Sequence, residues 1–139
     1  MASNHSNTDA NTDLDIRVLT KPHYLQQHSE PARQVFRFAY QIRIENRSTQ
    51  SVKLLRRYWK ITNALGEVEE VEGPGVVGQT PTIEPGEFYQ YTSGASFKTP
   101  IGFMEGYYTM VVVDSEANFP DTHKVPIPVF RLEAPNALH

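Results

Sequence analysis

The chain of 139 residues carries 13 Lys and Arg against 16 Asp and Glu, giving a formal net charge of −3, and it contains no Cys. This length suits one compact domain with a buried core. The lack of Cys excludes disulfides, thiol nucleophiles, iron–sulfur clusters and Cys-ligated zinc, and it fits a reducing compartment. The acidic balance argues against nonspecific nucleic-acid binding as the main function.

The N-terminus has no basic start followed by an apolar run, and no apolar stretch in the chain approaches bilayer length. Crossing a bilayer would take roughly 18 consecutive apolar residues. We therefore expect no membrane span, no signal peptide and a cytoplasmic location. Residues 1–13 are almost entirely small and polar, which predicts a disordered N-terminal arm before a single domain over residues 14–139.

The composition favours β-strands over helices. Val, Ile, Thr, Tyr, Phe and Trp together number 45, whereas Ala, Leu and Met number 20. Pro and Gly recur after Pro22 at the spacing expected of turns between short strands. In chain order, the predicted strands are residues 15–20, 36–45, 52–62, 67–72, 87–93, 104–114 and 125–129.

The clearest alternation lies in the second of these strands, where five apolar residues alternate with more polar ones: Phe36, Phe38, Tyr40, Ile42 and Ile44. In the third strand, Leu55, Trp59 and Ile61 share one face with Arg57, and that face is predicted to place Trp59 in the core. About seven short strands with a lone Trp in the third predict an antiparallel β-sandwich of immunoglobulin or fibronectin type III character. Because Pro126 and Pro128 cannot donate to a ladder, the last strand should lie at an edge.

Residues 73–86 hold four Gly and three Pro and predict a long structured loop. The loop opens with the spacing G-x-G-x-x-G, which in dinucleotide-binding folds leads into a helix that holds a pyrophosphate. Here Pro81 and Pro85 prevent such a helix, so one interpretation is a glycine-rich turn between strands. The other is an anion-binding nest of backbone N–H groups, helped by Arg57 or its basic neighbours, over Gly73, Gly75, Val76, Val77 and Gly78.

Other polar and aromatic groups have open interpretations. The carboxylates of Glu67, Glu69, Glu70 and Glu72 could bind a divalent cation or could simply keep an edge strand solvated. Arg56 and Arg57 beside Trp59 could stack on an aromatic ring, bind a carboxylate or serve the structure. Four tyrosines could belong to the core or face a ligand: Tyr89, Tyr91, Tyr107 and Tyr108.

The Ser and His residues fit no catalytic triad pattern, and no two His have the spacing of metal ligands on a helix. The sequence therefore predicts no catalytic residues, no metal site and no cofactor.

Seven blocks of sequence carry a family resemblance: VFRFAY at 35–40, RYWKIT at 57–62, VEGPGVVG at 71–78, PGE at 85–87, YTSG at 91–94, TPIGFMEGYY at 99–108 and IPVFRL at 127–132. Together they resemble the ApaG family, a small bacterial domain that is also fused into some eukaryotic proteins. The resemblance implies a fibronectin type III-like sandwich, an association with Co²⁺ resistance and Mg²⁺ efflux, and protein binding by eukaryotic relatives. It implies no set of catalytic residues, and it links the glycine motif with a nucleotide or pyrophosphate.

These observations favour a non-enzymatic binding module that presents its loops, above all residues 73–86, to a protein partner. The alternative is a pyrophosphate- or nucleotide-binding protein that uses the glycine-rich segment. Direct divalent-cation binding is a third hypothesis, and any part in ion efflux would be indirect because a domain without a membrane span cannot move ions across a bilayer.

Overall fold

The computed structural model describes residues 14–113 and 120–136. In these ranges the chain forms two short 3₁₀ turns, at Gln26–His28 and Pro31–Arg33, and eight β-strands. The strands are β1 Ile16–Tyr24, β2 Phe36–Asn46, β3 Val52–Asn63, β4 Val68–Pro74, β5 Thr82–Ile83, β6 Phe88–Phe97, β7 Ile101–Val112 and β8 Thr122–Glu133. The predicted all-β sandwich is confirmed, with eight strands where about seven were expected. The predicted arm at residues 1–13 lies outside the described residues.

The strands form two antiparallel sheets packed face to face. The small sheet has the order β1-β2-β6, and the large sheet has the order β4-β3-β7-β8, with β5 paired to the start of β3. β1 and β8 approach each other along one side of the sandwich. The opposite side is therefore bordered by the edge strands β4 and β6.

The core lies between the inward faces of the two sheets. In β2 the predicted alternation is confirmed, since Phe38, Tyr40, Ile42 and Ile44 are all 5% exposed or less. Trp59 of β3 is 3% exposed, as predicted for a core residue. Its ring centroid lies 5.6 Å from that of Tyr40, across the sandwich.

A β-bulge in β3 overturns one predicted face. The register between β3 and β7 shifts between Leu54 and Arg56, so β3 carries one extra residue, Leu55. Before the bulge the buried side chains are Val52 and Leu54, and after it the inward positions continue with residue 57. The prediction that Leu55 shares the face of Trp59 is wrong, because one inserted residue exchanges the two faces of a strand.

Both strands on the side of the sandwich opposite β4 and β6, namely β1 and β8, contain proline. The predicted end of the first strand at residue 20 is wrong, because β1 continues through Pro22 to Tyr24. β1 is an edge strand, where a missing N–H costs no ladder bond on the open side. The last strand does lie at an edge, as predicted. An extra residue in β8 opposite Met104–Gly106 leaves Val129 59% exposed and buries Phe130, so the inward alternation of Val125 and Ile127 ends there.

The predicted loop at residues 73–86 is partly strand. Gly73 and Pro74 complete β4, and Thr82–Ile83 forms the short strand β5 that the sequence did not predict. Between them the chain makes a tight turn in which Val76 and Gln79 form an isolated antiparallel bridge. This segment is therefore ordered by its own hydrogen bonds and by β3.

Candidate functional site

A cleft runs between the two edge strands β4 and β6, where the sheets separate. Its larger hollow, about 430 Å³, lies between residues of β2, β3 and β6 and the glycine-rich turn at residues 75–79. Its lining residues are Tyr40, Arg57, Trp59, Pro74, Val76, Val77, Gly78, Tyr91 and Ser93. A second hollow of about 380 Å³ shares Tyr40, Arg57, Trp59 and Ser93 and continues toward Glu69 and Ser96. The far end is bridged by an ion pair 2.8 Å long between Lys98 Nζ of the β6–β7 turn and Glu67 Oε1.

Arg57 is the cation at the centre of this cleft, and the bulge at Leu55 places it there. Without the extra residue, the inward phase of Val52 and Leu54 would continue to residue 56, and Arg57 would face solvent on the outer side of the sheet. Bulges commonly redirect a side chain in this way next to functional sites.

The guanidinium of Arg57 is held by backbone carbonyls. Its Nη1 donates hydrogen bonds of 2.9 Å to the Pro74 oxygen and 3.0 Å to the Gly75 oxygen. A Cβ at Gly73 would lie 3.2 Å from that Nη1, so the glycine leaves room for the side chain. Among the residues that the structure describes, no carboxylate lies within ion-pair distance of Arg57. The side chain is therefore a partly buried positive charge without a negative partner in the described ranges.

Three tyrosines surround the guanidinium. The hydroxyl groups of Tyr91 and Tyr108 share a short buried hydrogen bond, and burial raises the pKa of both. Burial also raises the pKa of Tyr40, against smaller opposing effects of a hydrogen bond with Ser93 and the charge of Arg57. All three phenols are neutral at pH 7 and present hydroxyl groups rather than negative charge toward Arg57.

In the glycine-rich turn at residues 75–79, three of the five N–H groups donate to backbone acceptors. The Gly75 N–H donates to the Leu55 oxygen over 2.8 Å, and Val76 and Gln79 exchange bonds of 2.8 and 2.9 Å. Val77 and Gly78, at φ of 47° and 77°, form the two-residue centre of the turn, as in type I′ hairpins. In the described part of the chain, the N–H groups of Val77 and Gly78 have no backbone acceptor, and both residues line the larger hollow.

The structure thus brings part of the predicted site together. One hollow is bordered by Arg57, Val76, Val77 and Gly78. Gly73 and Gly75 are not among its lining residues, but they contact Arg57 and the turn. Arg56, by contrast, is exposed and outside the cleft lining.

Sequence reasoning missed Tyr40 and Ser93, which border both hollows from opposite positions on β2 and β6. Their place depends on sheet order, and the sole signal in the sequence was the inward alternation of the second strand.

The four clustered glutamates do not converge. Glu67 pairs with Lys98, Glu70 accepts a 2.7 Å hydrogen bond from the Tyr58 hydroxyl, and Glu69 borders the cleft. Over residues 14–113 and 120–136, no three His, Asp or Glu side chains are grouped as metal ligands. The same ranges contain no helix long and apolar enough to cross a membrane.

The four tyrosines with open interpretations divide by position. Tyr108 is fully buried and Tyr91 is 9% exposed at the cleft wall. Tyr89 is partly buried against the core. Tyr107 stacks on Tyr58 with ring centroids 4.9 Å apart on the outer face of the large sheet.

Comparison with known proteins points to one family. A model of the ApaG domain matches residues 26–112. The chain is similar to Protein ApaG of Pectobacterium atrosepticum, at 50% identity over 89% of this chain and 95% of that protein. It is similar to Protein ApaG of Rhodospirillum centenum at 47% identity, over 87% of this chain and 89% of that protein. The solved structure of the ApaA protein of Bordetella pertussis has a TM-score of 0.82 at 39% identity, covering 88% of this chain and 96% of that one.

Proposed function

The chain belongs to the ApaG family, and we propose that it is a non-enzymatic binding module whose inter-sheet cleft recognises an acidic, extended segment of a partner protein. The observation that carries the proposal is Arg57, a partly buried guanidinium that has only carbonyl partners in the described part of the chain. A buried charge is costly unless it is paired, so this position favours a ligand that supplies a carboxylate.

The walls of the cleft suit an extended peptide. β4 and β6 are edge strands, each with one row of backbone donors and acceptors free of strand partners in the described sheets. Such edges accept an added strand, while pockets beneath the edge select its side chains. Along β6 the residues above the cleft are small, from Ser93 through Gly94 and Ala95 to Ser96, so a peptide backbone can approach closely.

The charged residues of the cleft favour one orientation of a bound peptide. The hollow beside the glycine-rich turn contains Arg57 as its one charged lining residue, whereas the next hollow also contains Glu69. An acidic side chain is attracted to Arg57 and repelled by Glu69. The bound segment therefore places its acidic residue at the turn end and a neutral or basic residue toward Glu69.

A random-peptide display selection tests this proposal. Peptides selected on the wild-type protein should share an acidic residue and should lose binding to an Arg57→Gln variant. Arg56→Gln is the matched control, because Arg56 is a neighbouring arginine outside the cleft. Since Arg57 also bridges two carbonyls, the thermal midpoint and amide spectrum of each variant are recorded first. Selected peptides without acidic residues, or equal binding to both variants, would contradict the proposal.

Binding of pyrophosphate is the second candidate, favoured by one observation. Val77 and Gly78, whose N–H groups have no backbone acceptor in the described part of the chain, border the same hollow as Arg57. A small anion there would meet two backbone donors and a cation. Titration with inorganic pyrophosphate should then shift the amide resonances of these two residues without hydrolysis. Absence of such shifts at millimolar pyrophosphate would exclude this candidate and leave the peptide proposal intact.

The link to Co²⁺ resistance and Mg²⁺ efflux that the family resemblance implies is indirect in this proposal. The described residues gather no set of three carboxylate or imidazole ligands for a cation. Such a link would therefore run through the protein partner. Calorimetry with Mg²⁺ and Co²⁺ tests this, since heat of specific binding would favour direct cation handling instead.

A further inference from the structure

The outer face of the small sheet is basic although the whole chain is acidic. Alternation along β1, β2 and β6 turns one set of side chains away from the core, and register places them in rows across the three strands. We call this set the basic face; its members are Arg17, Leu19, Lys21, His23, Arg37, Ala39, Gln41, Arg43, Glu45, Phe88, Gln90, Thr92 and Ser96. It holds four cations and one carboxylate, whereas the whole chain has a net charge of −3. Asp15 lies just beyond one end of the face, next to β1.

The one carboxylate of the basic face is already neutralised. Glu45 accepts hydrogen bonds of 2.8 Å from Arg43 Nε and 2.9 Å from Arg47 Nη2, and these bonds hold its pKa below the usual range. Arg17 also stands directly opposite Glu45 in the pairing of β1 with β2. The remaining cations, Lys21 and Arg37, are exposed and have no ion-pair partner among the described residues.

Arg43 is held in place before any partner arrives. Its guanidinium carbon lies 3.6 Å from the ring centroid of Phe88, and its Nε binds Glu45. On either side of it are exposed apolar side chains, with Leu19 44% and Phe88 51% exposed. Arginine and aromatic residues are enriched at protein interfaces. A side chain that is already ordered loses less entropy on binding.

We propose that the basic face is a second docking surface, separate from the cleft, and that its partner is an acidic surface of another protein. Charge complementarity selects an acidic partner, and the apolar Leu19 and Phe88 select a protein over a nucleic acid. A strand platform that binds nucleic acid stacks bases on free aromatic rings. The aromatic ring of this face, Phe88, is already covered by Arg43.

The test compares probes of different chemistry on the full chain carrying Arg57→Gln, so that the cleft proposed above does not also bind the acidic probe. The protein probe is a short peptide of Glu, Ser and Leu, and its neutral control replaces each Glu by Gln. The nucleic-acid probe is a single-stranded RNA of similar length. The Glu-containing peptide should shift amide resonances of β1, β2 and Phe88, the neutral peptide should not, and the RNA should bind more weakly than the acidic peptide.

Matched charge reversals distinguish binding at the basic face from a general effect of the protein's net charge. The triple variant Arg17→Glu, Lys21→Glu, Arg37→Glu should weaken acidic-peptide binding by about tenfold or more, as expected from losing three exposed charge contacts. The triple variant Lys53→Glu, Arg56→Glu, Lys60→Glu changes the net charge by the same amount on β3 and should leave the affinity within about twofold. Equal weakening by both variants, or tighter binding of the RNA, would overturn the proposal. Thermal unfolding of each variant confirms that it is folded before binding is measured.

Discussion

Two adjacent leucines in β3 allow a sharp test of the bulge that places Arg57 in the cleft. Leu54 is fully buried, whereas Leu55 is the extra residue of the bulge and is only partly buried. Leu54→Ala should lower the free energy of unfolding by about 3 kcal/mol, within the range for a leucine deleted from a rigid core. Little collapse of the cavity is expected, because residue 54 pairs with Met110 on one side and its N–H donates to the Pro81 oxygen, 3.0 Å away, on the other. Leu55→Ala should cost about 1 kcal/mol or less, as for a partly exposed strand position.

Urea unfolding followed by Trp59 fluorescence measures both variants on the same chain. In thermal unfolding, a loss of 3 kcal/mol corresponds to a midpoint lower by roughly 9 °C for a domain of this size. The two variants carry the same chemical change at neighbouring positions, so the difference between them reports which side chain faces the core. If Leu55→Ala were the more damaging change, Leu55 would share the inward face of Arg57 and Trp59, and the strand would lack the bulge between Leu54 and Arg56.

Three further outcomes follow from the same contacts. Trp59→Ala should cost about 3 to 5 kcal/mol in urea unfolding, because the ring is buried between the sheets; wild-type stability would refute the core position. Gly75→Ala should destabilise the protein more than Gly78→Ala, since both have positive φ but only a Cβ at Gly75 would clash with the Gln79 oxygen. Equal thermal midpoints would contradict this. Burial raises the pKa of Tyr91 above its usual 10.0 in the folded state, so the unfolded state ionises first and stability should fall as the pH rises above about 10. Tyr91→Phe should make that fall shallower, and an unchanged slope between pH 9 and 11 would count against the buried tyrosine cluster.

The parts of the fold that depend on local pattern could be predicted from the sequence. The alternation from Phe36 to Ile44 defined the inward face of β2, because one side of that strand is apolar throughout. The burial of Trp59 was also predicted correctly, although with the wrong strand neighbour. Proline in the last strand indicated an edge, since its missing N–H excludes a central position.

The parts of the fold that depend on an inserted residue or on sheet order could not be predicted from the sequence. Nothing in the composition around Leu55 distinguishes a bulge from a regular strand, because the extra residue is apolar like its neighbours. The inward face at the end of β8 could not be predicted for the same reason, because an extra residue precedes Phe130. Arg57 was a candidate from its proximity to Trp59 in the sequence, yet Ser93 joins the site only because β6 pairs with β2. Contacts between strands distant in sequence leave no local signal.

A double-mutant cycle across the cleft tests the central claim most directly. One change is Arg57→Gln in the protein, and the other replaces the acidic residue of a display-selected peptide by its amide. If the guanidinium binds that carboxylate, calorimetric titrations should give a coupling energy of about 2 kcal/mol, or roughly thirtyfold in affinity, typical of a charged hydrogen bond. A coupling energy near zero, with each change weakening binding independently, would contradict recognition of an acidic residue by Arg57.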